Sequence, residues 1–243
     1  MLLDHIGVGL VVGHVILENS VAYAIFRVAG RLAFPIFAFL ISEGVRHTKS
    51  MPKYLLRLLL LAIVSEVPFD LFRTFQWFSF ETQNVVWTLL LGAAVLCLLR
   101  YSAGLPKEKR PFGYIGTGVL AAGLFFFIRY VVRSDYGCYG FLMVVIPGLL
   151  LLELPRLRSQ IRNEETLRTL FCFLGMLPMI IVNLQKMPVE KYAFFALLPI
   201  LFYHGTRGRD GKGWRWAFYL FYPVHLTVIL LIFYRRFIFT GIG

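Results

Sequence analysis

Apolar stretches of about twenty residues follow one another along this chain with only short polar breaks, and little else can be built from such a pattern. Crossing a ~30 Å hydrocarbon core as a helix takes roughly 20 mostly apolar residues. Runs such as Leu55 to Val64 and Leu226 to Phe233 are apolar on all sides, whereas a membrane β-barrel needs short segments of alternating polarity. The expected fold class is therefore all-α, a polytopic integral membrane helix bundle. Nine spans are read at 3–17, 21–45, 53–73, 84–100, 112–132, 138–154, 166–184, 190–204 and 214–234, or ten if the N-terminus is incomplete or a helix is broken. The 243 residues are 58% hydrophobic with a mean hydropathy of +0.72, which leaves no room for a soluble domain. Residues 1–243 are read as a single transmembrane domain. The second run carries Arg31 and Pro35 and is expected to be kinked or broken, which a bundle tolerates where neighbours satisfy the freed backbone.

The net charge of +12 would suit nucleic acid or a membrane surface, so its distribution decides between them. Lys and Arg accumulate in cytoplasmic loops. Alternate loops hold Arg46, Lys49 and Lys53; Arg100, Lys107, Lys109 and Arg110; Arg156, Arg158 and Arg162; and Arg207, Arg209, Lys212 and Arg215. The intervening loops hold only Arg73, Arg129, Arg133, Lys186 and Lys191, which is 14 against 5. This alternation predicts a multi-pass protein of the inner (cytoplasmic) membrane with a cytoplasmic N-terminus. Its partner is the lipid bilayer, and nucleic acid is not expected. The start, Met-Leu-Leu-Asp-His, lacks a basic region and a small-residue cleavage site, so no cleavable signal peptide is expected. Cys97, Cys138 and Cys172 show no metal-ligand spacing. They read as small core residues, and no metal is expected.

Charged side chains inside a membrane are costly, by ~3 kcal/mol on insertion scales, and mark a partner, a wet cavity or a functional site. This chain has Asp4, His5, Arg27, Arg31, Glu43, Arg57, Glu66, Asp70 and His225 in or beside its spans. Arg27 and Arg31 share a helix face, as do Glu43 and His47, because residues four apart are neighbours on a helix. Asp4 and His5, adjacent in sequence, point to different faces. Tyr222 and His225 are three apart across Pro223. Each also has a plain structural reading. The basic loop from Arg46 to Lys53 sets topology, and Glu66 and Asp70 cap or terminate a helix. Arg31 pairs with Glu43 to join two helices, Asp135 and Gly137 make a turn, and His225 bonds between helices.

Five segments are similar to one family. GRLAFPIFAFLISEGVRHTKSMPKYLLRLLLLAIVSEVPFDL (Gly30 to Leu71) resembles the TraX family of membrane acetyltransferases over a long, specific block. LLDHIG (Leu2 to Gly7), QNVVWTLLLG (Gln83 to Gly92), DYGCYG (Asp135 to Gly140) and FYLFYPVHL (Phe218 to Leu226) add shorter matches in the same order. The resemblance implies acetyl-CoA as co-substrate and a peptide or small amine as acceptor, the family's named reaction being N-terminal acetylation of F-type pilin. The histidine of the first span also resembles that of wider membrane acyltransferase families, where it is the favoured base.

On that footing His5 is expected to be the general base, since histidine is matched to proton transfer near neutral pH, with His225 as the second candidate. Asp4 or Glu43 would orient or charge-balance it, and Arg31 would steady the carboxylates or the oxyanion. Acetyl-CoA phosphates would be held by Arg46, His47, Lys49, Lys53, Arg57, Arg207 and Arg209. Glu66, Asp70, Gln83, Asn84, Asp135, Tyr139 and Tyr222 would line the substrate side or polar core. Direct transfer and an acyl-histidine route both fit. The competing class is a proton-coupled transporter or channel for a small solute, in which the same buried charges form an ion relay.

Overall fold

The computed structural model describes residues 1–157, 163–183, 188–205 and 211–233, and these form helices with no strand among them. In chain order they are α1 (Leu2–Val12), α2 (Val21–Arg31), α3 (Ala33–His47), α4 (Met51–Thr74), α5 (Val85–Ala103), α6 (Arg110–Phe127), α7 (Gly137–Leu157), α8 (Glu164–Asn183), α9 (Leu197–Leu201) and α10 (Lys212–Phe233). A π-helical turn at Ile128–Val132 extends α6, and a 3-10 segment at Pro188–Ala196 leads into α9.

Among the described residues, five helical segments are long and apolar enough to cross a membrane: Val21–His47, Val85–Ala103, Arg110–Val132, Glu164–Val182 and Trp216–Phe233. The protein is thus a helical membrane bundle, but only five of the nine expected spans are found. α4, read as 53–73, carries Lys53, Arg57, Glu66, Asp70 and Arg73 and is not among them. α7, read as 138–154, gives only the shorter apolar helix Gly137–Leu150, and two more spans differ in form. The first, read as 3–17, is an 11-residue helix, about 16 Å long at 1.5 Å per residue. The eighth, read as 190–204, is the 3-10 segment and the five-residue α9, because Pro188 and Pro199 and the charged pair Glu190 and Lys191 interrupt its apolar run. The second run breaks as expected, though at Leu32 rather than at Pro35. Pro35 falls in the first turn of α3, where a missing N–H leaves no helical bond unmade.

The core gathers Phe34, Ala38, Leu58, Leu96, Val144, Met176 and Leu226 from α3, α4, α5, α7, α8 and α10. Small residues allow the close approach that replaces hydrophobic drive between helices in lipid. At Gly92 on α5 a Cβ would lie 2.8 Å from Cβ of Val144 on α7. The three cysteines are free and buried, consistent with packing as small apolar groups.

The two ends of the bundle differ in charge. Arg100 at the end of α5 donates to Val45 O (2.7 Å) and Thr48 O (3.0 Å), capping α3. Tyr203, after α9, reaches Glu43 at 3.4 Å, and fully buried Arg168 on α8 donates to the Tyr203 carbonyl. The ends of α3, α5 and α9 and the starts of α4, α6 and α8 therefore meet at the end rich in Lys and Arg. The opposite end holds the start of α2, the end of α4, the π turn and the start of α7.

Candidate functional site

The short α1 packs between α2 and α10. Glycine lets it do so on both sides: a Cβ at Gly7 would sit 2.7 Å from Cβ of Phe26, and one at Gly9 would sit 2.7 Å from Cδ2 of Phe233. This seating brings His5 against His225. His5 Nδ1 lies 2.8 Å from His225 Nε2, and His225 Nδ1 lies 2.7 Å from the Phe221 carbonyl oxygen. A carbonyl only accepts, so the Phe221 oxygen fixes the proton on His225 Nδ1. Nε2 of neutral His225 is then the acceptor, and His5 must donate from Nδ1. That leaves Nε2 of His5 with a free lone pair. The arrangement is the one a general base needs, with its tautomer set by a second group and that group held by a third. Phe72 packs edge-on against His5, with ring centroids 5.0 Å apart.

His5 lines a cavity of about 750 Å³, within the ~300–1,000 Å³ usual for small-ligand sites. Asp4 forms its floor. One oxygen, Oδ1, accepts from Arg27 Nη1 at 2.8 Å and Arg31 Nη2 at 3.0 Å. Arg31 also donates from Nη1 to Glu190 Oε1 at 2.7 Å. Arg31 and Glu190 are both buried, and this pairing offsets the cost of burying either charge alone. Tyr136, stacked on Phe34 at 3.7 Å, forms part of the wall with Tyr139 and Tyr222. The mouth carries Arg73, Arg129, Arg133 and Asp135. Asp135 is exposed at this mouth, and partial desolvation by the surrounding protein pushes its carboxyl above the usual range against the pull of Arg73. Phe75 and Arg133 hold left-handed backbone (φ 61° and 50°), a conformation that costs bulky residues about 1–3 kcal/mol and clusters at functional sites.

Several expectations on individual residues are redrawn. Arg31 pairs with Asp4 and Glu190 rather than Glu43. Glu43 stands twelve residues further along, about 18 Å at helical rise, near Arg46 Nη1 (3.2 Å) and His47 Nε2 (3.0 Å). It cannot orient His5 from there, and neither does Asp4, whose Oδ1 serves two arginines. The side chain within hydrogen-bond distance of His5 is His225. Arg46, His47, Lys49, Lys53 and Arg57 lie at the basic end, away from the cavity, and Arg207 and Arg209 lie outside the described residues.

Glu66, Asp70, Gln83 and Asn84 do not line the cavity. Glu66 accepts from Trp87 Nε1 at 2.6 Å and Asn84 N at 3.1 Å, and also from the Asn84 amide group. Asp70 accepts from Ser79 N at 2.8 Å. Gln83 Nε2 donates to Ser79 O at 3.4 Å. Asn84 caps α5 through Val86 N at 2.9 Å. Together they tie α4 to α5, the structural reading. Asp135, Tyr139 and Tyr222 do line the cavity. Sequence reasoning passed over Glu190. The available signal was a lone carboxylate opening an apolar run.

A second, apolar groove of about 290 Å³ lies between α4 and α10. It extends from Arg57, one turn beyond Lys53, past Leu60 and Val64 to Pro223 and shares no lining residue with the cavity that holds His5.

The TraX protein family model matches residues 1–233. A protein of Dichelobacter nodosus described as probable fimbrial assembly protein FimC, serogroup H1, is 28% identical over 225 residues, covering 87% of this chain and 84% of the relative. No solved structure matches. The family match takes in every helix that builds the histidine pair and its arginine-lined cavity, from α1 to α10, and the chain therefore belongs to the TraX family.

Proposed function

We propose that the protein is a membrane-embedded acetyltransferase that moves an acetyl group from acetyl-CoA to an amine, specifically the N-terminus of a pilin-like peptide. The observation that carries this reading is the relay from the Phe221 carbonyl through His225 to His5, which leaves Nε2 of His5 as a base on a polar cavity. Membership of the TraX family and a relative named for fimbrial assembly support the acceptor class.

In the reaction, the acceptor nitrogen attacks the thioester carbonyl carbon and gives its proton to Nε2 of His5. The tetrahedral intermediate collapses with cleavage of the C–S bond, and the departing thiolate takes the proton back. His225 supports the imidazolium that forms in between by accepting from its Nδ1–H. Arg31 steadies Asp4 and Glu190, so the cavity keeps its charges in place. We assign the donor's phosphates to the basic end of the bundle, with Lys53 and Arg57 as the cations.

Free-CoA release by the purified protein, with a peptide bearing a free N-terminus, tests the proposal. Loss of a general base typically costs about 10²–10⁴-fold, so His5→Ala should fall by that order. His225→Gln, whose amide oxygen can accept from His5, should retain more activity than His225→Ala. No release from folded protein with any amine, together with proton-coupled solute uptake in proteoliposomes, would replace this reading with transport.

A further inference from the structure

We propose that Arg73, Arg129 and Arg133 form a rim that selects acceptors carrying acidic groups beside the reacting amine, and that such acceptors enter from the end of the bundle away from the Lys- and Arg-rich connections. The proposal rests on the acyl-transfer reading for the word acceptor, but its charge argument is independent. Five arginines line the cavity (Arg27, Arg31, Arg73, Arg129 and Arg133) against three carboxylates (Asp4, Asp135 and Glu190). Asp4 and Glu190 are taken up by Arg27 and Arg31. That leaves Asp135 facing three exposed arginines, none of which makes an ion pair among the described residues. The mouth is therefore cationic, and a bare ammonium is repelled there while a chain bearing carboxylates is drawn in.

The position of these arginines is itself unusual. They belong to the last turn of α4, the π turn and the residue that ends it, at the end of the bundle poor in Lys and Arg, where cationic residues run against the topology preference. All three converge on one cavity, the one that holds His5. Headgroup anchoring would scatter them around the lipid-facing perimeter instead. Donor phosphate is proposed for the other end, beside Arg57.

The test uses the full chain in nanodiscs of zwitterionic phosphatidylcholine and two labelled hexapeptides with free N-termini. One has aspartate at its second and third positions, the other asparagine. Fluorescence anisotropy at low salt should show the aspartate peptide binding about tenfold more tightly, the order expected for two or three partly screened ion pairs. The preference should shrink with added salt, disappear in the R73Q/R129Q/R133Q variant and persist with lysine at the three positions. The KM for acetyl-CoA should not change. Equal binding of the two peptides by the unmodified protein overturns the proposal. So does a raised KM for acetyl-CoA with the peptide preference intact, which assigns the rim to donor phosphate. So does a preference that is present in anionic-lipid nanodiscs and absent in zwitterionic ones. Preferential binding without CoA release leaves the rim standing and removes the acetyl-transfer reading instead.

Discussion

Replacing Gly30 with alanine should disable the site without touching any group that performs chemistry. Gly30 on α2 faces Asp4 on α1 so closely that a Cβ would lie 2.9 Å from both Cγ and Oδ1 of Asp4 and nearer still to its Cβ. Ordinary contact begins at 3.4 Å. The Asp4 Cβ is fixed to the helix backbone, so α1 itself must retreat by at least the 0.5 Å difference. His5 is the next residue on that helix. A displacement of 1 Å at a reacting group costs about 10²-fold, so kcat/KM in the CoA-release assay should fall roughly ten- to a hundredfold. Overpacking of this kind costs about 1–3 kcal/mol, so the melting temperature in detergent should fall as well. Gly116→Ala on α6 is the control, because nothing lies within 4 Å of its Cβ and alanine is the better helix former. If Gly30→Ala kept kcat/KM within about twofold of the parent and melted at the same temperature, α1 would not be held by this contact, and the geometric account of the histidine pair would fail.

Two further outcomes check the arrangement. Glu66→Ala removes the acceptor of Trp87 Nε1 and Asn84 N and should destabilise the protein by about 2–3 kcal/mol, read as a lower melting temperature, while the KM for acetyl-CoA is unchanged; a raised KM with normal stability would return Glu66 to the substrate side. Arg133→Cys should react with a membrane-impermeant maleimide in intact cells and Lys49→Cys only after lysis, the three native cysteines being buried; the reverse pattern would invert the orientation and the direction of acceptor entry.

Much of the bundle was legible because lipid imposes a simple code. Helices must satisfy their own backbone, so Val21–His47 and Val85–Ala103 announce themselves by apolar length. The break near Arg31 was also legible, since a charge and a proline fall in one run. The 3-10 segment at Pro188–Ala196 was not, because its apolar residues satisfy a length criterion that says nothing of helix type. Within the site, His5 and His225 were singled out as histidines in apolar surroundings. Their contact spans 220 positions, and no local pattern reveals a pairing at that separation. The same limit hid Glu190 from Arg31, at 159 positions, and made Glu43, on the same run as Arg31, the expected partner. Asp4 and Arg31 were read as functional, but the register that sets them face to face depends on the glycines of α1 and α2.

The histidine relay ends on a main-chain carbonyl, where many enzymes place a carboxylate. A carbonyl is present whatever residue stands at position 221, so no single substitution there deletes the anchor; substitutions can only displace it. Nor does it titrate. Acid that would neutralise an aspartate leaves the Phe221 oxygen an acceptor, so the acidic limb of the activity profile should record the protonation of histidine alone at this relay, with no carboxylate step beneath it.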